Sequence, residues 1–372
     1  MKRFILIFIG LALVGSTFAG QRSYLLGLAD NHYDITAEAI ITGWGYIAND
    51  ADMIVYHDDR DGLPWTEAYW DLEYPAEFQG RINSRKSAQA HLWNTHKRYL
   101  AVSPLNFMRD NIADQFNAEQ HPEWQAFWQS QPLNSEVVKI AYYKHLSRMI
   151  EVYQPHYLTY AVEANIFINK QHGRWHEFVE LADYIYTRLK QDHPQLKTMI
   201  SFQAEEFYKG FDLFDAPYVH YQSMKQVFPF TDFMPISSYP YTLFNKPEDM
   251  PEDYFTAIAD LAPNKPLVIA ETGWPAETLR PYFQIDSNAW KQRNYWRRVM
   301  NDIQSRNGEF IISLLPRDYD AIWEKVFKFE PDALLLRLWR DMGLYAGDGT
   351  VRPAARLWKQ RLKWPIASPD AQ

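Results

Sequence analysis

From Gln21 onward, short apolar runs rich in β-branched and aromatic residues alternate with amphipathic helical stretches, a rhythm that few folds accommodate. Strands separated by helices run parallel, because each helical crossover carries the chain back to the same edge of the sheet. Eight candidate strands can be read: Ser23–Asp30, Asp52–Asp58, Arg98–Pro104, His156–Asn165, Thr198–Gln203, Phe233–Tyr239, Pro266–Thr272 and Phe310–Leu315. Their centres, such as Leu267 to Ala270 and Phe310 to Leu315, are nearly continuously apolar, which suits strands covered on both faces. Between them, Glu136–Tyr153 places Val137, Ile140, Ala141, Leu146, Met149 and Ile150 near an i, i+3, i+4 spacing. Further helices are expected at Trp175–Leu189, Tyr254–Leu261 and Trp290–Ile303. The predicted fold is α/β, a (β/α)8 TIM barrel, which takes roughly 200 to over 400 residues; a doubly wound parallel sheet is the competing architecture. No linker, repeat or low-complexity tract interrupts Gln21 to Lys363, so one domain is expected over residues 20–365, with a short tail at 366–372. The connection Gly62 to Trp70 reads as a structured loop on the barrel rim.

Lys2 and Arg3 precede an apolar run, Phe4 to Val14, and small residues follow at the Thr17-x-Ala19 spacing. That is the pattern of a cleavable signal peptide over residues 1–19. The run is shorter than the about 20 apolar residues a membrane span needs. The expected product is an exported, soluble monomer, periplasmic or extracellular, with no membrane association after cleavage. Asp and Glu (46) outnumber Lys and Arg (38), and the formal net charge of −8 repels phosphate backbones, so nucleic acid is not an expected partner. The absence of Cys removes disulfides, thiolate nucleophiles and zinc–thiolate sites.

In a barrel, the polar residues that close apolar strands stand at the catalytic end. Two glutamates do so: Glu163 closes the run Tyr157 to Val162 of the fourth strand, and Glu271 closes Leu267 to Ala270 of the seventh. A single such Glu could equally be one half of a salt bridge. The pair is more informative, because strands four and seven face one another across a barrel and can point both carboxyl groups into one cleft. Two carboxyl groups about 5–5.5 Å apart serve a retaining glycosidase, one as nucleophile and one as acid and then base.

Around Glu271, the element Ala270-Glu271-Thr272-Gly273-Trp274-Pro275 resembles the nucleophile strand of clan A glycoside hydrolases. Pro235-Ile236-Ser237-Ser238-Tyr239-Pro240 resembles their sixth strand, and Trp339 to Trp358 their closing segment. The nearest types are endo-β-1,3-glucanases and endo-β-1,4-galactanases. The resemblance implies Glu271 as nucleophile, Glu163 as acid/base and Tyr239 as the residue that orients the nucleophile. It also implies endo action on a β-linked glucan or galactan, without metal or organic cofactor. In one place the chain departs from the clan, which carries Asn directly before the acid/base Glu. Val162 stands there, and Asn165 is the candidate for the missing sugar contact.

Other residues are candidates for substrate contact by position. His57 and Asp58 end the second strand, Asn106 follows the third, and Gln203 closes the fifth. Glu205 or Glu206 could replace Glu163 as acid/base. The aromatic content of 16% is high enough to line a sugar-binding groove as well as a core. Trp65, Trp70, Tyr241, Trp274 and Trp323 fall just past strand ends and are candidate stacking platforms, whereas Trp124, Trp128, Trp296 and Trp358 fall in helical contexts and read as packing. His172 and His176 have a metal-binding spacing, but Gly173 between them and the lack of a neighbouring Glu argue against a metal. The alternatives to an enzyme are a non-catalytic carbohydrate-binding barrel of a polysaccharide export or utilisation system, and a structural protein that keeps the barrel.

Overall fold

The computed structural model describes residues 20–58, 60–208, 221–280 and 283–367. The predicted signal peptide and the end of the predicted tail, from residue 368, lie outside these described residues. Among the described residues nine strand segments form one parallel sheet: β1 (Leu25–Ala29), β2 (Met53–Asp58), β3 (Lys97–Val102), β4 (Tyr157–Ala161), β5 (Lys197–Ile200), β6 (Phe202–Gln203), β7 (Met234–Ser238), β8 (Leu267–Thr272) and β9 (Phe310–Ser313). The order in the sheet is β5-β4-β3-β2-β1-β9-β8-β7-β6. Since β5 and β6 are separated only by Ser201, the two ends of that order are one interrupted strand. The fifth predicted strand therefore divides, β5 pairing with β4 and β6 with β7, and the sheet curls into a TIM barrel rather than a doubly wound sheet.

Alternation along each strand creates two cores. Met53 and Val55, Tyr99 and Ala101, and Phe310 and Ile312 point inward and form one apolar cluster with Tyr157, Met199, Phe233 and Val268. Their sequence neighbours, such as Ile54, Leu100 and Ile311, join the larger layer between strands and helices. The strands look continuously apolar because both faces are covered.

The helices match the expected spans closely. One runs over Glu136–Tyr153, with Ser135 Oγ accepting the Val138 amide at 3.4 Å. The others are Trp175–Asp192, Tyr254–Ala259 and Ala289–Ser305, the last capped by Asn288. Gly62 to Trp70 is a structured rim element, with a short helix at Trp65–Tyr69. The tail begins inside the folded body: Ile366 bridges to Arg22, whose guanidinium holds Asp52 at 2.6 Å. Among the described residues no helix is long and apolar enough to cross a membrane.

Candidate active site

The inward-facing series on several strands ends in a polar or apolar side chain at the carboxyl edge of the barrel. Ala29 leads to Asn31, Val55 to His57, Met199 to Gln203 and Ile312 to Leu314, and all four end residues line one cavity of about 270 Å³. Glu163 and Glu271 line the same cavity. Both glutamates follow irregularities in the ladder. Ile236 pairs with Ile269 and Ser237 with Glu271, so β8 carries one extra residue, and β4 carries one between Thr159 and Ala161. Such a bulge changes which face the following side chain addresses.

Glu271 Oε1 accepts a hydrogen bond from the Tyr239 hydroxyl, and its Oε2 lies 3.8 Å from His57 Nε2. Burial, followed by the Glu271 charge, holds the Tyr239 phenol well above its ordinary pKa, so it remains a donor. Glu163 stands at the entry of the helix Ala164–Lys170 in the left-handed region, with φ 54°. A non-glycine residue held there costs of order 1–3 kcal/mol, a strain that concentrates at functional sites. Its amide donates to Ser201 Oγ at 3.0 Å and its Oε1 accepts from Ser237 Oγ at 2.6 Å. Arg109 Nε faces Oε2 at 3.8 Å. Ser237 thus pairs with Glu271 through the ladder and holds Glu163 through its hydroxyl.

The cavity also takes in residues that sequence reasoning passed over. Arg109, on the loop after β3, and Tyr319, beyond β9, carry no local signature. Trp339 was visible only as the start of the closing segment, yet it meets the Tyr239 ring edge-on at 5.7 Å. Arg85 lines the wall as well; Arg60, which does too, is no omission, since it belongs to the charged cluster that ends the second predicted strand with His57 and Asp58.

Several expected contacts belong to the scaffold instead. Asp58 faces away from His57 and pairs with Arg85 at 2.8 Å and Arg81 at 3.6 Å; burial pushes its carboxyl up despite these arginines. Asn106 folds its own loop, accepting the Asp110 amide at 3.0 Å and donating to the Asp110 carboxylate at 2.7 Å. Asn165 is fully buried, donating to Gln203 O at 2.8 Å and accepting from Gln203 N at 2.7 Å, so it does not stand in for the clan's Asn. Trp65 is buried against Trp128, with its indole N–H donating to Ala113 O at 2.8 Å. Trp323 and the exposed Trp70 do not line the cavity, and Tyr241 is buried with its hydroxyl on Leu338 O. Trp128, Trp296 and Trp358 pack as expected, and Trp124 is half-buried and stacked on His121.

Trp274 is the sharpest correction. It is fully buried between Tyr295 and Tyr241, and its indole N–H donates to Ser287 Oγ at 2.9 Å. Trp274→Ala is expected to lower unfolding stability by about 3–5 kcal/mol, the range for an aromatic truncated in a core. Denaturant melts would read this, and an unchanged midpoint would return Trp274 to the surface.

Glu205 and Glu206, the substitutes considered for Glu163, do not line the cavity. Glu205 accepts from Ser238 Oγ, the Tyr239 amide and Tyr254 OH at 2.7–2.8 Å, and burial pushes its carboxyl up to about 7. Glu206 is bonded by Asn169 and is likewise raised to about 7, chiefly by burial. Both hold the loop after β6 in place. His172 and His176 lie at the start of the Trp175–Asp192 region, and among the described residues no group of three or more potential metal ligands converges.

No protein-family model matches the chain, and no curated protein matches it. Solved structures do. An exo-β-1,4-mannosidase from Opitutaceae bacterium strain TAV5 superposes with a TM-score of 0.63 at 11% identity, over 93% of this chain and 60% of that one. GH5_18 from Streptomyces cattleya, in complex with GlcNAc, gives 0.65 at 13% identity, over 94% and 83%. A family 39 glycoside hydrolase from Bacteroides cellulosilyticus WH2 gives 0.53 at 13%, over 91% and 63%. The fold is that of the glycoside hydrolase TIM barrels. At these identities the likeness is one of fold, and this chain spans less than two thirds of the mannosidase and of the family 39 protein.

Proposed function

We propose that this protein is an exported retaining β-glycosidase acting on a β-linked oligo- or polysaccharide. The observation that carries the reading is the placement of Glu163 and Glu271, at the carboxyl ends of the fourth and seventh barrel strands (β4 and β8), on one cavity, with Tyr239 bonded to Glu271. The β-1,4-mannosidase among the fold neighbours, and a Streptomyces relative bound to Manβ1-4GlcNAc, support a β-linked substrate.

In this reading a Glu271 oxygen attacks the anomeric carbon while Glu163 gives its proton to the departing glycosidic oxygen. Glu163, now a carboxylate, takes a proton from water, whose oxygen attacks the same carbon and frees Glu271. Tyr239 fixes the rotamer of the attacking carboxylate, and His57 stands on its other oxygen. Proton transfer by a positioned carboxyl contributes about 10²–10⁴-fold. No step calls for a metal or an organic cofactor.

Two inversions give net retention, so the first product formed from a β-glycoside is the β-anomer. Time-resolved proton NMR on a panel of β-glucosides, β-mannosides and β-galactosides checks this; initial α-product would refute the double displacement. The second reading, a sugar-binding barrel without turnover, is favoured by Val162 before Glu163 and by Asn165 turned into the backbone. Binding of the same sugars with no product would select it.

A further inference from the structure

The segment that follows β9 crosses the mouth of the barrel. Its backbone is tied to the loop after β1, where Ile322 N donates to Tyr33 O at 3.0 Å and Lys325 pairs with Asp34 at 2.6 Å. Farther along, Asp332 meets Arg60, from the loop after β2, at 3.4 Å. The Arg60 guanidinium lies over Phe107 at 5.7 Å and over Phe327 at 5.4 Å, which joins the loop after β3 to the same strap. At its far end Trp339 contacts Phe107 edge-on at 6.3 Å and Tyr239 at 5.7 Å. One strap therefore touches the loops after β1, β2, β3 and β7, and it contributes Phe327, Leu335, Leu336 and Trp339 to the cavity wall.

A polysaccharide that is cut internally must enter and leave the site, which needs a groove open at both ends. Here the strap and the Phe107 loop wall one side. The volume of about 270 Å³ lies just below the range of roughly 300–1,000 Å³ for small-molecule pockets, room for on the order of one or two sugar rings. With room for so few rings, a sugar seated against the strap presents its anomeric carbon to Glu271, and its aglycone leaves through the open side of the cavity. Only a ring with no further sugar attached on its inner side fits, which is the non-reducing terminus.

We propose that the site takes the non-reducing end of a β-linked chain and releases terminal sugars, with the Arg60–Asp332 pair as the specificity element that keeps the strap across the mouth. This inference rests on the glycosidase reading and replaces the endo action suggested by the sequence resemblance. The Arg60 side chain is 36% exposed, so the pair is a weak latch and the rings around it carry much of the closure.

The test uses β-linked tetrasaccharides of glucose, mannose and galactose, each with a reduced reducing end, and the same compounds blocked by a methyl ether on the terminal non-reducing ring. The parent protein is expected to release terminal sugar first and to leave the blocked compounds intact. Asp332→Ala is expected to raise the share of internal cleavage products by about two- to fivefold, the range for an exposed ion pair. Di- or trisaccharides carrying a new, unreduced reducing end as first products, without free monosaccharide and with Glu271→Gln inactive, would overturn end-on binding and leave the glycosidase standing. No turnover by the parent, with tetrasaccharide binding indifferent to the block, would overturn both.

Discussion

Glu271→Gln is expected to lower kcat/KM on an unactivated β-glycoside by on the order of 10⁴-fold or more, while the protein melts as the parent does. The two halves of that result belong together. Gln keeps the length and shape of the side chain, and its amide oxygen still accepts from the Tyr239 hydroxyl, so the contact that orients the residue survives. What disappears is the anionic oxygen that forms the bond to the anomeric carbon. A 10⁴-fold loss corresponds to about 5.5 kcal/mol of transition-state stabilisation, far beyond what a lost contact 3.8 Å from His57 could supply. Initial rates on the best substrate of the panel, paired with thermal melts, check it. A variant within tenfold of the parent would remove Glu271 as nucleophile.

Much of this site was legible because barrel strands write their positions in apolar residues. Leu267 to Ala270 locates Glu271, and Tyr157 to Val162 locates Glu163, to within a residue. The alternation of two even distinguishes His57, which follows the inward Met53 and Val55, from Asp58, which follows the outward Ile54 and Tyr56. Treating both as substrate contacts ignored that period. Bulges are a different matter: the extra residues in β4 and β8 are backbone events without a residue signature, and they decide where both glutamates point. Asn165 misled because a helix begins at Ala164, so two residues beyond Glu163 is the packed face rather than the next inward position. Trp274 misled because a tryptophan two residues past the end of β8 sits by position at the rim, whereas Ser287 draws its indole N–H into the core. Arg109 and Trp339 reach the cavity from distant loops, and proximity of that kind is tertiary.

Glu163→Ala separates the acid from the base. On a substrate with a poor leaving group, loss of the proton donor is expected to slow hydrolysis by about 10²–10⁴-fold. An aryl glycoside whose phenolate departs unaided needs no proton, so its glycosylation step is expected to change little and the intermediate on Glu271 to accumulate, seen as a burst of phenol. Breakdown of that intermediate still lacks a base for water. Azide attacks without one, and it should restore turnover and give a β-glycosyl azide. A purely structural Glu163 predicts a different pattern. The alanine variant would then lose the Ser237 and Arg109 contacts, melt earlier, and slow both substrate classes alike with no response to azide. The strained φ of 54° makes the contrast sharper, because Ala inherits the same backbone cost without the side-chain hydrogen bond. Glu206→Gln serves as the companion measurement: its carboxyl, pushed up to about 7 by burial, would suit a proton donor by pKa alone, yet it does not line the cavity. Azide rescue in Glu163→Ala together with near-parent leaving-group behaviour in Glu206→Gln assigns the acid/base role by geometry; the reverse pattern would transfer it to Glu206.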